Sequence, residues 1–105
     1  MPASPEEVCT FWFGGEWASN RDALSSTPYF DANVKRWYGG GPEMDAACAR
    51  YADTIHAAGL GELSAAPGWQ PSAVSSIATV VLLDQMTRGA FRCVAARREC
   101  ANARN

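Results

Sequence analysis

The chain predicts an all-α domain, a short array of roughly four helices around a central apolar helix at about residues 71–88. Three observations carry this. Every interruption reads as a helix break: Gly14, Gly39-Gly40-Gly41, and Gly59 with Gly61. Each break is followed by a proline placed where a first helical turn tolerates a missing N–H: Pro28, Pro42 and Pro71, after Pro5 at the start. The third observation concerns Val74–Arg92, VSSIATVVLLDQMTRGAFR. Its β-branched run would suit a buried strand, but the patterned stretch exceeds a strand's length and no other segment offers a partner strand.

Ser4-Pro5-Glu6-Glu7 starts the first helix, with Ser4 as N-cap, Pro5 at N1 and Glu7 placed to complete a capping box. Val8, Phe11 and Trp12 share a face, Phe13 is adjacent, and Gly14 suits the position after the last turn. Residues 15–27 have no sustained period and read as a loop. Thr27-Pro28 opens a second helix, in which Phe30, Val34 and Trp37 align. The triple glycine is not a phosphate-cradling loop, because the GxxxxGK[ST] spacing and a preceding strand are both missing. Pro42 then begins a third helix, to about Ala58, with Met44, Cys48, Tyr51, Ala52 and Ile55 along one stripe.

Composition narrows the function. The 105 residues suit one small domain, and 19% charged residues exclude a highly charged disordered chain. Charge is uneven. Residues 1–87 carry four basic against ten acidic side chains, whereas residues 88–105 carry five arginines (88, 92, 97, 98, 104) against Glu99. That basic end has no aromatic interleaving beyond Phe91, so nucleic-acid binding is not expected. Cys9, Cys48, Cys93 and Cys100 are scattered, with no CxxC and a single His56, so no metal and no cofactor are expected. The cysteines read as free thiols, and His56 as a surface or hydrogen-bonded residue rather than a catalytic one. The N-terminus lacks the pattern of a secretory signal and no run is long enough to cross a bilayer, so a soluble cytoplasmic protein with no membrane partner is expected.

On a helical wheel Val74, Ile77, Ala78, Val81 and Gln85 share one face, and the remaining apolar residues spread over the others. Asp84, Gln85, Arg88 and Arg92 fall in an arc of roughly 100° that continues the Val74–Val81 face. Asp84 and Arg88 stand at i, i+4 with the acid first, the favourable order for an ion pair. Charges on a buried face must be paired and hydrogen-bonded. This cluster therefore reads either as a structural network or as a polar pocket for a small anionic ligand. The structural reading is favoured, since fixed ion pairs need no catalytic duty.

These residues resemble the domain of unknown function 924 family, an all-helical, tetratricopeptide-like family. The resemblance rests on Phe11-Trp12-Phe13-Gly14, Trp37-Tyr38, Pro42-Glu43-Met44-Asp45, Gly61-Glu62-Leu63 with Trp69, and Leu82-Leu83-Asp84-Gln85-Met86-Thr87-Arg88 with Phe91 and Arg92. It runs from about residue 8 to 92, with 15–36 as a probable insertion and 93–105 as a divergent basic tail. The family pattern has phenylalanine, proline and asparagine where this chain has Met86, Thr87 and Gly89. Without the proline, the turn that ends the helix is expected later, near Gly89. Because family members continue further, the resemblance implies a truncated or mis-spliced product covering only the N-terminal half. Such a fragment would expose apolar surface, with Ala78–Leu83 as the sticky segment.

The resemblance implies an interaction or scaffold domain with a protein partner. The alternative is a small-anion binder or enzyme, with Arg88 and Arg92 clamping the anion, Asp84 orienting Arg88, Gln85 hydrogen-bonding, and Phe11, Trp12, Phe13 and Trp37 as the nearby aromatic core. With one carboxylate and no identifiable nucleophile, the catalytic version is the weaker. A fragment without independent activity is the third reading.

Overall fold

The computed structural model describes residues 2–19 and 21–95, and among them every regular element is helical. The helices are α1 (Pro5–Phe13), α2 (Arg21–Leu24), α3 (Thr27–Gly39), α4 (Gly41–Ala49), α5 (Ala52–Gly59), α6 (Ala73–Val80) and α7 (Thr87–Ala95). A 3₁₀ turn at Leu63–Ala65 follows α5, and a π-helical segment, Val81–Met86, joins α6 to α7 without a break. The basic tail lies outside the described residues from position 96 onward.

The expected starts hold to within a residue or two. Ser4 accepts a hydrogen bond from the Glu7 amide with Pro5 in the first turn, and Ser26, one residue before the expected Thr27, does the same for Tyr29. At the central helix the cap is Ser72, in a reciprocal box with Ser75, so Pro71 precedes the helix instead of opening it. Gly40 admits no side chain, because a Cβ there would lie 2.5 Å from Met44 Cβ and 2.6 Å from the Arg36 carbonyl. Gly41 follows at φ +68°, a region that L side chains rarely adopt. This pair lets α4 begin with the single residue Gly40 between it and α3.

Three expectations change. Residues 15–27 are not wholly irregular, since they contain the single turn α2. The helix expected over 42–58 is two helices. Arg50 and Tyr51 donate to carbonyls only three residues back, which tightens the end of α4, and the Tyr51 ring packs against Phe11 at 5.0 Å. No proline or glycine marks that break. The central helix does not turn near Gly89; it continues to Ala95, and Gly89 lies so close to α4 that a Cβ there would come 3.0 Å from Cys48 Sγ.

The run α6–π–α7 is the spine. α6 packs on α1, the π segment on α5, and α7 on α4. Ala78, Val81, Leu82 and Met86 meet Val8, Cys9 and Trp12 of α1, Met44 and Cys48 of α4, and Leu63 and Trp69 of the connecting loop in one core. Burying a side chain such as Leu82 contributes about 2 kcal/mol. The start of the chain is tied in as well: the Ala3 amide donates to Thr54 Oγ1 at 2.8 Å and its carbonyl accepts from Trp69 Nε1 at 2.9 Å.

The spine is not buried on all sides. The molecule is only 19 Å through its thinnest direction, about two helix diameters, so each helix keeps a face toward solvent. On the spine that face carries Ile77, Val80, Leu83 and Phe91, exposed by 47%, 62%, 44% and 71%. Of the expected sticky segment, Ala78, Val81 and Leu82 point inward, and only Val80 and Leu83 point out.

Candidate functional site

The aromatic residues singled out in the sequence converge on the last turn of α1. Helix ends leave carbonyls without intrahelical donors, and here α3 supplies the donors from outside. The Trp12 carbonyl accepts from Arg36 Nη2 and from Trp37 Nε1, the latter at 2.9 Å, and the Phe13 carbonyl accepts from the Tyr29 hydroxyl. Trp12 and Trp37 stack at 5.7 Å with planes 8° apart, and the Arg36 guanidinium sits 5.8 Å from the centre of the Phe11 ring. The cation thus lies at the negative end of α1 and over a ring face, both favourable places for it. Burial pushes the Tyr29 phenol up from its usual range, an effect partly offset by Arg36. Residues 15–36, read as an insertion, thus hold most of the helix that seals α1.

The polar cluster at residues 84–92 divides. Asp84, Gln85 and Arg88 stay together on the outer face. Arg88 donates from Nε to the Asp84 carbonyl at 2.9 Å and from Nη2 to Asp84 Oδ1 at 3.4 Å, while Gln85 Nε2 donates to Oδ2. The side chains of Arg88 and Asp84 are 65% and 55% exposed, which contradicts their expected place on the buried face. The cause is the choice of stripe. The face actually buried runs through Ser75, Ala78, Val81, Leu82, Met86, Gly89 and Cys93; it keeps Ala78 and Val81 of the expected Val74–Ile77–Ala78–Val81–Gln85 face but is turned away from Ile77. An apolar wheel with residues on nearly every side gives no direction of its own.

Arg92 leaves the cluster. Its Nε and Nη2 donate to Asp45 Oδ1 on α4, at 3.2 and 3.0 Å, and the Asp45 side chain is 6% exposed. The two arginines expected to clamp one anion therefore go to two different carboxylates. Beside the Arg92–Asp45 pair lies a cavity of about 310 Å³ lined by Trp37, Gly39-Gly40-Gly41 and Met44, so Arg92 and one of the aromatic residues do share a wall. With a carboxylate already on the guanidinium, that wall carries no net charge from the pair.

Asp45 and Arg36 are the residues that the sequence reading passed over. A signal for Asp45 existed: it is an acid directly beside Met44 and three residues before Cys48 on an otherwise apolar stripe, and a charge in that position needs a cation. Cys48 lies in the same place. Its thiol is pushed up to about 11 by burial and then by the Asp45 carboxylate, with Arg92 and Arg36 acting in the opposite direction. Cys9 is also raised, by burial and then by Glu6, so neither free thiol is poised as a nucleophile at neutral pH. Cys93 is disulfide-bonded, a departure from the expectation of free thiols at every position. Among the described residues no group of three or more metal-ligating side chains comes together. No helix there is long and apolar enough to cross a membrane.

An all-helical domain with a sealed aromatic end, an inter-helix ion pair with a buried carboxylate and an exposed apolar ridge is the class these observations define. The chain belongs to the family of bacterial proteins of unknown function DUF924, whose model matches residues 8–101 and so extends past Arg92, where the motif resemblance stops. No curated protein and no solved structure gives a match.

Proposed function

We propose that this domain works by protein interaction, receiving an α-helical partner along the outer face of α6–α7. The observation that carries the reading is the exposed row Ile77, Val80, Leu83 and Phe91 on one unbroken helix. Spacings of three, three and eight residues keep these side chains on one side of the helix, as the apolar anchors of helix–helix recognition are kept. An apolar groove of about 170 Å³ opens beside the row, between Cys9, Phe13, Trp17, Leu24, Val74 and Ile77. A ridge next to a groove is what a second helix needs in order to interdigitate. The family resemblance points to the same scaffold class.

The test places a photo-crosslinking amino acid at Val80 and, as a control, at Asp31 on the exposed side of α3. The expected result is a reproducible adduct from position 80 that disappears on Leu83→Glu and has no counterpart from position 31. Since Leu83 is exposed, that variant keeps its circular dichroism spectrum and melting temperature. Equal labelling from both positions, or none from either, would refute the reading.

A further inference from the structure

We infer that the helix received on α6–α7 is that of a second copy of this chain, lying antiparallel; the inference rests on the reading of this face as a docking surface.

The argument is one of charge. Asp84 and Arg88 flank the apolar row, both more than half exposed, while Arg92 beside Phe91 is held by Asp45. The first two stand one turn apart on the same edge, acid first. An antiparallel pair related by a twofold axis near the level of residue 86 brings Asp84 of each copy beside Arg88 of the other, so that both contacts are attractive. A parallel pair, with its twofold along the helices, would put the two Asp84–Arg88 edges on opposite sides, where neither meets the other. An acid and a base that are both more than half exposed, spaced about an axis, form a surface complementary to itself, as an isologous interface requires. The intramolecular Asp84–Arg88 contact of 3.4 Å then becomes one side of a four-membered network of alternating charge.

The apolar side chains fit the same register. With about 1.5 Å of rise per residue, Phe91 of one copy falls at the level of residue 81 of the other, between Val80 and Leu83. The most exposed ring of the row thus enters the notch between two exposed aliphatic side chains, and the symmetry repeats this contact on the other side of the axis. The paired stretch is about 18 Å long. Such a contact is smaller than the ~800 Å² per partner of a stable interface, so the association is reversible and depends on concentration.

Sedimentation equilibrium on the full chain across a wide concentration range tests this with charge reversals. Asp84→Arg makes the edge wholly basic and Arg88→Asp makes it wholly acidic. Each variant alone is expected to self-associate roughly tenfold more weakly than the unaltered chain. An equimolar mixture of the two recovers association, because each basic edge then meets an acidic one, and the double variant Asp84→Arg/Arg88→Asp recovers it within one chain. Matching circular dichroism spectra establish that all four proteins are folded. A monomeric unaltered chain, single variants that associate as well as it does, or a mixture that fails to recover would each overturn the inference. The crosslinking at Val80 separates the two proposals. An adduct with the mass of two copies supports self-pairing; an adduct with a different protein overturns self-pairing and leaves the interaction reading standing; no adduct removes both.

Discussion

Two aspartate–arginine pairs on this molecule use the same chemical groups and do different work. Asp84–Arg88 joins residues one turn apart on an outer surface, at 3.4 Å, with both partners more than half exposed. Asp45–Arg92 joins residues 47 positions apart, at 3.0 Å, with the carboxylate inside and the guanidinium reaching over it from α7. Water and salt screen the first pair, which contributes only about 0.3–0.5 kcal/mol to the fold and leaves its groups available to a partner. The second stands where removing the cation would leave a charge without its counterion in low dielectric. The inner pair clamps two helices and the outer one marks a surface. Sequence spacing favoured the outer pair, and burial makes the inner one structural.

The largest effect is expected where the inner pair can be pulled apart from beneath. A Cβ on Gly89 would lie 3.0 Å from Cys48 Sγ and 3.4 Å from Asp45 Oδ1, so Gly89→Leu forces α7 off α4 and takes Arg92 with it. A loss of about 3 kcal/mol in urea unfolding is expected. A stability within 0.5 kcal/mol of the unaltered chain, on the order of an ordinary surface change, would show that the two helices are not in close contact there.

Next comes the pair itself. Arg92→Ala should cost about 2 kcal/mol, less than for a fully buried pair because the guanidinium is 56% exposed. Adding Asp45→Asn should return part of that loss, since the uncompensated charge is then gone. A double-mutant cycle with a coupling energy near zero would place Asp45–Arg92 in the same class as the outer pair.

Cys48 reports on the inner site through pH. Its pKa is raised to about 11 from an ordinary 9.0, so the folded chain keeps the thiol proton while the unfolded chain releases it. The contribution is fully present below about pH 9 and is lost as pH rises toward about 11, so stability falls across that window. Cys48→Ala should flatten the slope there in chemical denaturation measured from pH 8 to 11; an unchanged slope would mean that the thiol does not sit in this buried, acid-flanked place.

The smallest effect belongs to the outer pair. Asp84→Ala should change stability by no more than about 0.5 kcal/mol, and by less in high salt. A loss above 1 kcal/mol would show it to be structural, contrary to the role assigned to its surface.

Much of the local structure was legible in the residues. Ser4, Pro5, Pro28 and the glycine breaks act through capping, fixed φ and missing Cβ atoms, which are local effects, and the helices start and stop close to where these residues stand. The break at Arg50-Tyr51 carries no such residue; it accompanies Tyr51 packing on Phe11 forty positions away. The aromatic set was also legible as a core. Its geometry was not, because the donors that close the end of α1, Tyr29, Arg36 and Trp37, arrive from another helix.

The sequence by itself determined that this protein is all-helical, that its central helix is the apolar stretch ending in Leu82-Leu83-Asp84-Gln85, and, through its motifs, to which family it belongs. Tertiary structure alone decided which side of that helix is inside. Apolar residues surround its first half, so periodicity gave it no preferred face, and the choice fell to the neighbours: α1 and α5 take up Ala78, Val81 and Leu82, while Gly89 lets α4 come close. That choice sends Arg92 inward to Asp45 and leaves Asp84 and Arg88 outside beside Val80, Leu83 and Phe91.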